Sequence, residues 1–305
     1  MNLTYIIGVI GAILVMLLGM VLGINLGPAA TAAKELALAA GEEWSAITFT
    51  PSNLWNFFDA ASIFITIGCT IFVVVSSFPG SALKNVPKHF KVMLNSKKYN
   101  PMYYIDQLVE LAQTARKNGL LSLEEKANEQ TDPFFKQAIM LIVDANDPDK
   151  VKAILENDIE CMSSRHEDAA GMYDKASSVA PAFGMVGTLV GLINMLKSMD
   201  LSDSGGASSL GTSMGTALIT TLYGCILAHV LFGPIAQNLR ERDSEEVLCK
   251  EIIVEGIMSI QSGENPKALK EKLLTYMDQS QREGGGGGGG KKGKKGKGGD
   301  GGGEE

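Results

Sequence analysis

The sequence predicts an all-α, polytopic membrane protein with four transmembrane helices and a helical cytoplasmic domain. Three observations carry this. The 305 residues are 45% hydrophobic and only 20% charged, with a mean hydropathy of +0.11, too apolar for an ordinary soluble chain. Four runs are free of Asp, Glu, Lys and Arg: Leu3 to Leu26, Ala60 to Phe78, Ala176 to Leu196 and Gly211 to Leu239. The polar stretches between them carry helix start and stop signals rather than strand patterns.

Each charge-free run reaches the roughly 20 residues that a helix needs to cross a bilayer, and none alternates with period two. The first run lacks a basic leader and is followed by a second span, so it reads as a retained anchor rather than a cleaved signal. Lys84, Lys88, Lys91, Lys97 and Lys98 follow the second run, and Arg240 and Arg242 follow the fourth. The 29–52 loop sets Lys34 against Glu35, Glu42 and Glu43, and the 200–210 loop has no base. The excess of positive charge places both termini in the cytoplasm and those two loops outside.

The resulting organisation is a first helical hairpin over 1–78, a cytoplasmic helical domain over 79–175, a second pair of spans over 176–239, C-terminal cytoplasmic helices over 240–282 and a Gly/Lys tail over 283–305. In the insertion, Ile105, Leu108, Leu111, Ala112 and Ala115 recur at helical spacing over Tyr103 to Lys117, and Gly119 is placed to end that helix. Asp132-Pro133 and Asp147-Pro148 are helix starts with proline in the first turn. From Lys150 no breaker appears before Pro181, so one long helix is expected to continue into the third span. The fourth span is expected to run on toward Ser262, and Asn265-Pro266 opens a last short helix ending near Tyr276. The tail from Gly284 has nothing to bury and is expected to be disordered.

Composition also excludes. A formal charge of -7 argues against nucleic acid as a partner. Cys69, Cys161, Cys225 and Cys249 have no CxxC spacing, and His89, His166 and His229 lie on different segments, so neither a disulfide framework nor a metal site is indicated. The enzyme signatures HExxH, GxxxxGK[ST], GxSxG and a strand-borne GxGxxG are absent, and no catalytic residue or cofactor is assigned. His229 falls within the fourth span, where the commoner role is a neutral imidazole bonded to a neighbouring helix.

No carboxylate lies in the middle of any span; Asp59 sits at the outer edge of the second. A proton or cation relay needs an acid at depth, so an ion-conducting assembly would have to take it from another chain. The third and fourth spans do hold hydroxyls at Thr188, Thr220 and Thr221, whose commoner role is bonding to their own helix backbone. Gly184, Gly187 and Gly191 share one face, and Gly211 with Gly215 offers a second small-residue patch. Pro181 and Pro234 free the carbonyls of Ser177 and Val230, giving kinks that also suit hinges. In the insertion Arg116, Lys117, Glu124 and Glu125 flank the Gly119-Leu120-Leu121 turn, a pattern most often just solvated.

Residues 115–124, Asp132-Pro133-Phe134, 180–192 (APAFGMVGTLVGL), 217–224 (ALITTLYG) and Phe232-Gly233-Pro234-Ile235-Ala236 closely resemble the MotA family of flagellar stator subunits. The resemblance runs from the first span to about Leu274, in order and with the same four-span layout; only the tail lies outside it. It implies a subunit of a homo-pentamer around a MotB dimer whose membrane Asp binds the transported ion. It implies that Arg116 and Glu124 contact charged groups of the rotor protein FliG, that Pro181 and Pro234 couple ion passage to movement, and that Thr221 lies beside the partner's Asp with Thr188 and Thr220 as neighbours. The resemblance leaves H+ or Na+ as the transported ion, with H+ favoured here, and implies the bacterial cytoplasmic membrane with its lipids as the setting. The rival within the superfamily is a TolQ or ExbB type energiser of outer-membrane processes, which has three spans. A passive membrane scaffold is the rival of a different class.

Overall fold

The computed structural model describes residues 3–24, 47–49, 51–94, 99–197, 206–277 and 279. Most of the two loops expected to face outward, 29–52 and 200–210, and the 283–305 tail lie outside the described residues. The chain packs as two units, one built from residues 1–98 and 161–244, the other from 99–160 and 245–305. Two of the three boundaries, at 160/161 and 244/245, fall inside long helices.

In the first unit, α1 covers Leu3–Val21. Its 19 residues rise about 28 Å, close to the ~30 Å hydrocarbon thickness. The chain leaves the helix at Val21 rather than continuing to Leu26: Leu22–Ile24 forms a short strand, β1, whose backbone pairs antiparallel with Ile47–Phe49, β2. This three-residue ladder satisfies backbone groups that a helix end would leave open. α2 (Ala60–Ser77) starts at Asp59, whose carboxylate accepts from the Ser62 amide, and is interrupted by a π-helical turn over Phe64–Gly68. Short helices α3 (Gly80–Lys84) and α4 (Val86–Leu94) follow.

The second unit opens with α5 (Pro101–Asn118), capped by Asn100 and closed at Gly119, whose φ of +83° is a backbone state that favours glycine. α6 spans Leu123–Glu129 and α7 spans Pro133–Val143. The Asp132 carboxylate accepts from the Phe134 amide at 3.0 Å, the cap that the Asp-Pro signal announces. α8 runs unbroken from Pro148 to Lys197 over 50 residues, with Pro181 inside it. α9 covers Gly206–Ile226, starting five residues ahead of the predicted span. A π-helical turn over Leu227–Phe232 joins it to α10 (Gly233–Gln261), and Asn265 caps α11 (Pro266–Leu274).

The core of the second unit gathers Ile105, Leu108, Phe135, Ile139, Leu155, Ile252, Ile257 and Leu269, all fully buried. It unites the insertion with the C-terminal helices. The smaller core of the first unit holds Met93, Met172, Tyr173, Ile235 and Ala236. Elsewhere that unit exposes Leu14, Phe64, Phe72, Met185, Leu189 and Leu218, an inversion of the soluble pattern that suits a lipid or partner-helix environment. Among the described residues, three helices are long and apolar enough to cross a membrane: Ala60–Ser77, Pro148–Lys197 and Leu210–Gln261. α1 has the shorter apolar stretch Ile6–Val21.

Candidate ion-pathway site

α8 and α9 meet along a seam with almost no side chain on the α8 side. A Cβ on Gly187 would lie 2.4 Å from Thr220 Cγ2, one on Gly191 2.7 Å from Ala217 Cβ, and one on Gly184 3.1 Å from Thr220 O. Gly224 answers from α9, where a Cβ would lie 2.8 Å from Ala180 O and 3.1 Å from Pro181 Cα. Close backbone approach of this kind holds membrane helices together without a hydrophobic driving force. The expected patch at Gly211 and Gly215 takes no part, because both face open space. Ser213, Ala217, Thr220 and Thr221 are the residues of α9 that fit the glycine face.

The seam brings the three threonines together but gives them different surroundings. Thr188 Oγ1 donates to Gly184 O and Ala217 O, both at 3.1 Å, and lies 2.7 Å from Thr221 Oγ1. Thr221 is exposed, and its hydroxyl lies 3.4 Å from Gly184 O across the seam. Thr220 is fully buried and donates to Ala217 O at 2.9 Å. Bonding to the own helix, the commoner role for such residues, therefore accounts fully only for Thr220. Thr188 and Thr221 form an accessible cluster of hydroxyl and carbonyl oxygens, the hard donors that a hydrated proton or Na+ accepts.

A hydroxyl ladder on α2 was not singled out from the sequence. Ser62, Thr66 and Thr70 are buried; Ser62 Oγ donates to Thr216 O and Thr66 Oγ1 to Thr220 O, each at 3.3 Å, and Thr70 Oγ1 donates to Thr66 O at 2.6 Å. Their spacing of four, on one face of an apolar span, was the available signal. Ser62 Oγ also donates to Asp59 Oδ2 at 2.5 Å. His229 is exposed and makes no hydrogen bond among the described residues, so the expected bond to a neighbouring helix is absent.

Below the seam, Arg240 forks onto Glu167, with Nε 2.9 Å from Oε2, and also pairs with Asp174. Asp243 accepts from Ser163 Oγ at 2.6 Å and lies 2.6 Å from His166 Nδ1. These pairs fasten α10 to α8 within the first unit. His89 stands 3.3 Å from the Tyr173 hydroxyl; burial, and then the charge of His166, lowers its pKa from 6.5.

In the second unit Arg116 and Glu124 are both exposed and line separate clefts. Arg116 and Lys117 share theirs with Lys267 and Lys270. Glu124 and Glu125 share the other with Thr114, Ser122 and Lys126. Among the described residues neither Arg116 nor Glu124 is in an ion pair, so each charge is available to a partner.

Residues 126–252 match the MotA/TolQ/ExbB proton channel family. Motility protein A of Borreliella burgdorferi is 39% identical over 236 residues, 77% of this chain and 89% of that protein. The chain belongs to the MotA branch of this family. Chemotaxis protein PomA of Vibrio alginolyticus is 38% identical over 75% of this chain and 88% of its own. The structure of C. jejuni MotAB superposes with a TM-score of 0.74 at 25% identity, covering 92% of this chain and 97% of that one. The flagellar MotAB stator complex of Bacillus subtilis gives 0.70 at 30% identity, covering 84% and 97%. Membership in the MotA branch makes this chain an ion-channel subunit of a flagellar stator and a membrane protein.

Proposed function

We propose that this stator subunit rings the membrane helices of a MotB dimer as a homo-pentamer and couples inward ion flow to torque on the rotor. The observation that carries this is the exposed Thr188–Thr221 hydroxyl pair, 2.7 Å apart, on a helix seam whose spans contain no acid. The pathway is half-built, and a MotB aspartate beside Thr221 completes it. H+ is the favoured ion, and the threonine oxygens also accommodate Na+. Neutralising the partner's acid changes which helix arrangement is favoured, and Pro181 and Pro234 absorb the change. The clefts at Arg116 and Glu124 then press on oppositely charged groups of FliG. One charge moved through 100 mV supplies about 2.3 kcal/mol, several times thermal energy.

The setting is the cytoplasmic membrane with both termini inside, supported by the lysines after α2 and the arginines after α9. The TolQ/ExbB alternative is less supported, because the relatives above carry motility and chemotaxis names. The test replaces Thr221 and Pro181 separately and follows swimming and stator assembly. Loss of swimming with intact assembly supports the pathway; normal motility in both variants removes these residues from it.

A further inference from the structure

We propose that Ser177 is a positioning residue that ties the Pro181 turn of α8 to the π turn ahead of Pro234; this rests on the stator reading, in which those prolines flex. Each proline leaves a carbonyl four residues earlier without its usual amide donor, and each lies inside an otherwise continuous helical stretch. Between them the Ser177 hydroxyl donates to Ala228 O at 3.0 Å. Ala228 is fully buried, and the same carbonyl accepts the amide of Gly233, five residues on, which defines the π turn. In an α register that amide would bond His229 O instead.

Ser177 therefore bonds to the one carbonyl whose acceptance of Gly233 distinguishes the two registers. Space confirms how closely these groups are set. A Cβ on Gly233 would lie 3.0 Å from Ala228 O and 3.8 Å from Ser177 Oγ. Four residues along α8, Ala180 and Pro181 press on Gly224, where no side chain would fit. A shift at Pro181 is thus transmitted through Ser177 to the register in front of Pro234, and the hydroxyl holds that register between ion steps. Elements with two discrete arrangements are what coupling needs.

The experiment uses the full complex with its MotB partner, unmodified and as S177A and S177T. Hydrogen exchange of the 227–233 segment in the purified complex is read beside motor rotation in cells. S177A should exchange about fivefold faster, the factor that one lost hydrogen bond carries, and rotate more slowly at unchanged stator number, with S177T restoring both. Unchanged exchange in S177A would overturn the latch. Faster exchange with unchanged rotation would overturn its part in coupling and leave it a packing bond. An unmodified complex that cannot turn the motor would instead refute the stator reading, while exchange still decides the latch.

Discussion

Thr188 and Thr221 meet hydroxyl to hydroxyl at 2.7 Å, although 33 residues separate them, because glycines at 184, 187 and 191 let α8 and α9 approach at backbone distance. This hydroxyl pair is a product of packing: the seam aligns the threonines, and a looser seam would part them.

Gly187→Ala should therefore act on both stability and function. The new methyl meets Thr220 side-chain atoms at 2.4 to 2.7 Å, an overpacking that typically costs about 1–3 kcal/mol. Thermal unfolding of the detergent-solubilised complex should fall for Gly187→Ala and not for Gly215→Ala, whose methyl enters open space. Equal melting of the two variants would show that the seam is not tight.

Thr221→Val keeps the size of the side chain and removes its oxygen. Swimming should be lost or strongly slowed while the amount of assembled stator stays normal, since no packing contact is deleted. Ion flux into cells overproducing the complex should drop in parallel.

Reversal of Arg116 to Glu should weaken torque and leave membrane insertion and folding intact, because the side chain is exposed at the end of α5 and in no ion pair among the described residues. Bead-assay torque at fixed stator number is the measurement, and unchanged torque would remove the charge contact.

His89 predicts an acid sensitivity of known sign. Burial, then His166, depresses its folded-state pKa below 6.5, so the unfolded chain binds the proton first as pH falls. The contribution of His89 is complete above pH 6.5, declines through the window below it and levels off below the depressed pKa. Melting temperature measured between pH 7.5 and 5 should fall less for His89→Gln than for the unmodified chain.

Much of this was legible in the sequence because its signals are local. Asp132-Pro133, Asn265-Pro266 and Gly119 set helix ends that the structure reproduces, since caps depend on residues within one turn. Charge-free runs gave the spans, though not the exit of α1 into β1, where backbone pairing to Ile47–Phe49 replaces helix. What stayed hidden depends on the partner helix. Gly211 and Gly215 look as apt for close packing as Gly184 and Gly187, and only the rotation of α9 against α8 chooses between them. The ladder Ser62, Thr66 and Thr70 likewise gains meaning from α9 carbonyls opposite it. Arg116 and Glu124 read as a charge pair around a turn, yet they open into different clefts.

The most direct measurement is tethered-cell rotation in bacteria whose sole stators combine this chain with a MotB partner carrying either its membrane Asp or Asn in that place, with the ion gradient then collapsed by a protonophore or by Na+ removal. Rotation should require the Asp and stop when the gradient of the transported ion is lost. Sustained rotation with the Asn-bearing partner, or after both gradients are gone, would contradict ion-coupled torque through the Thr188–Thr221 seam.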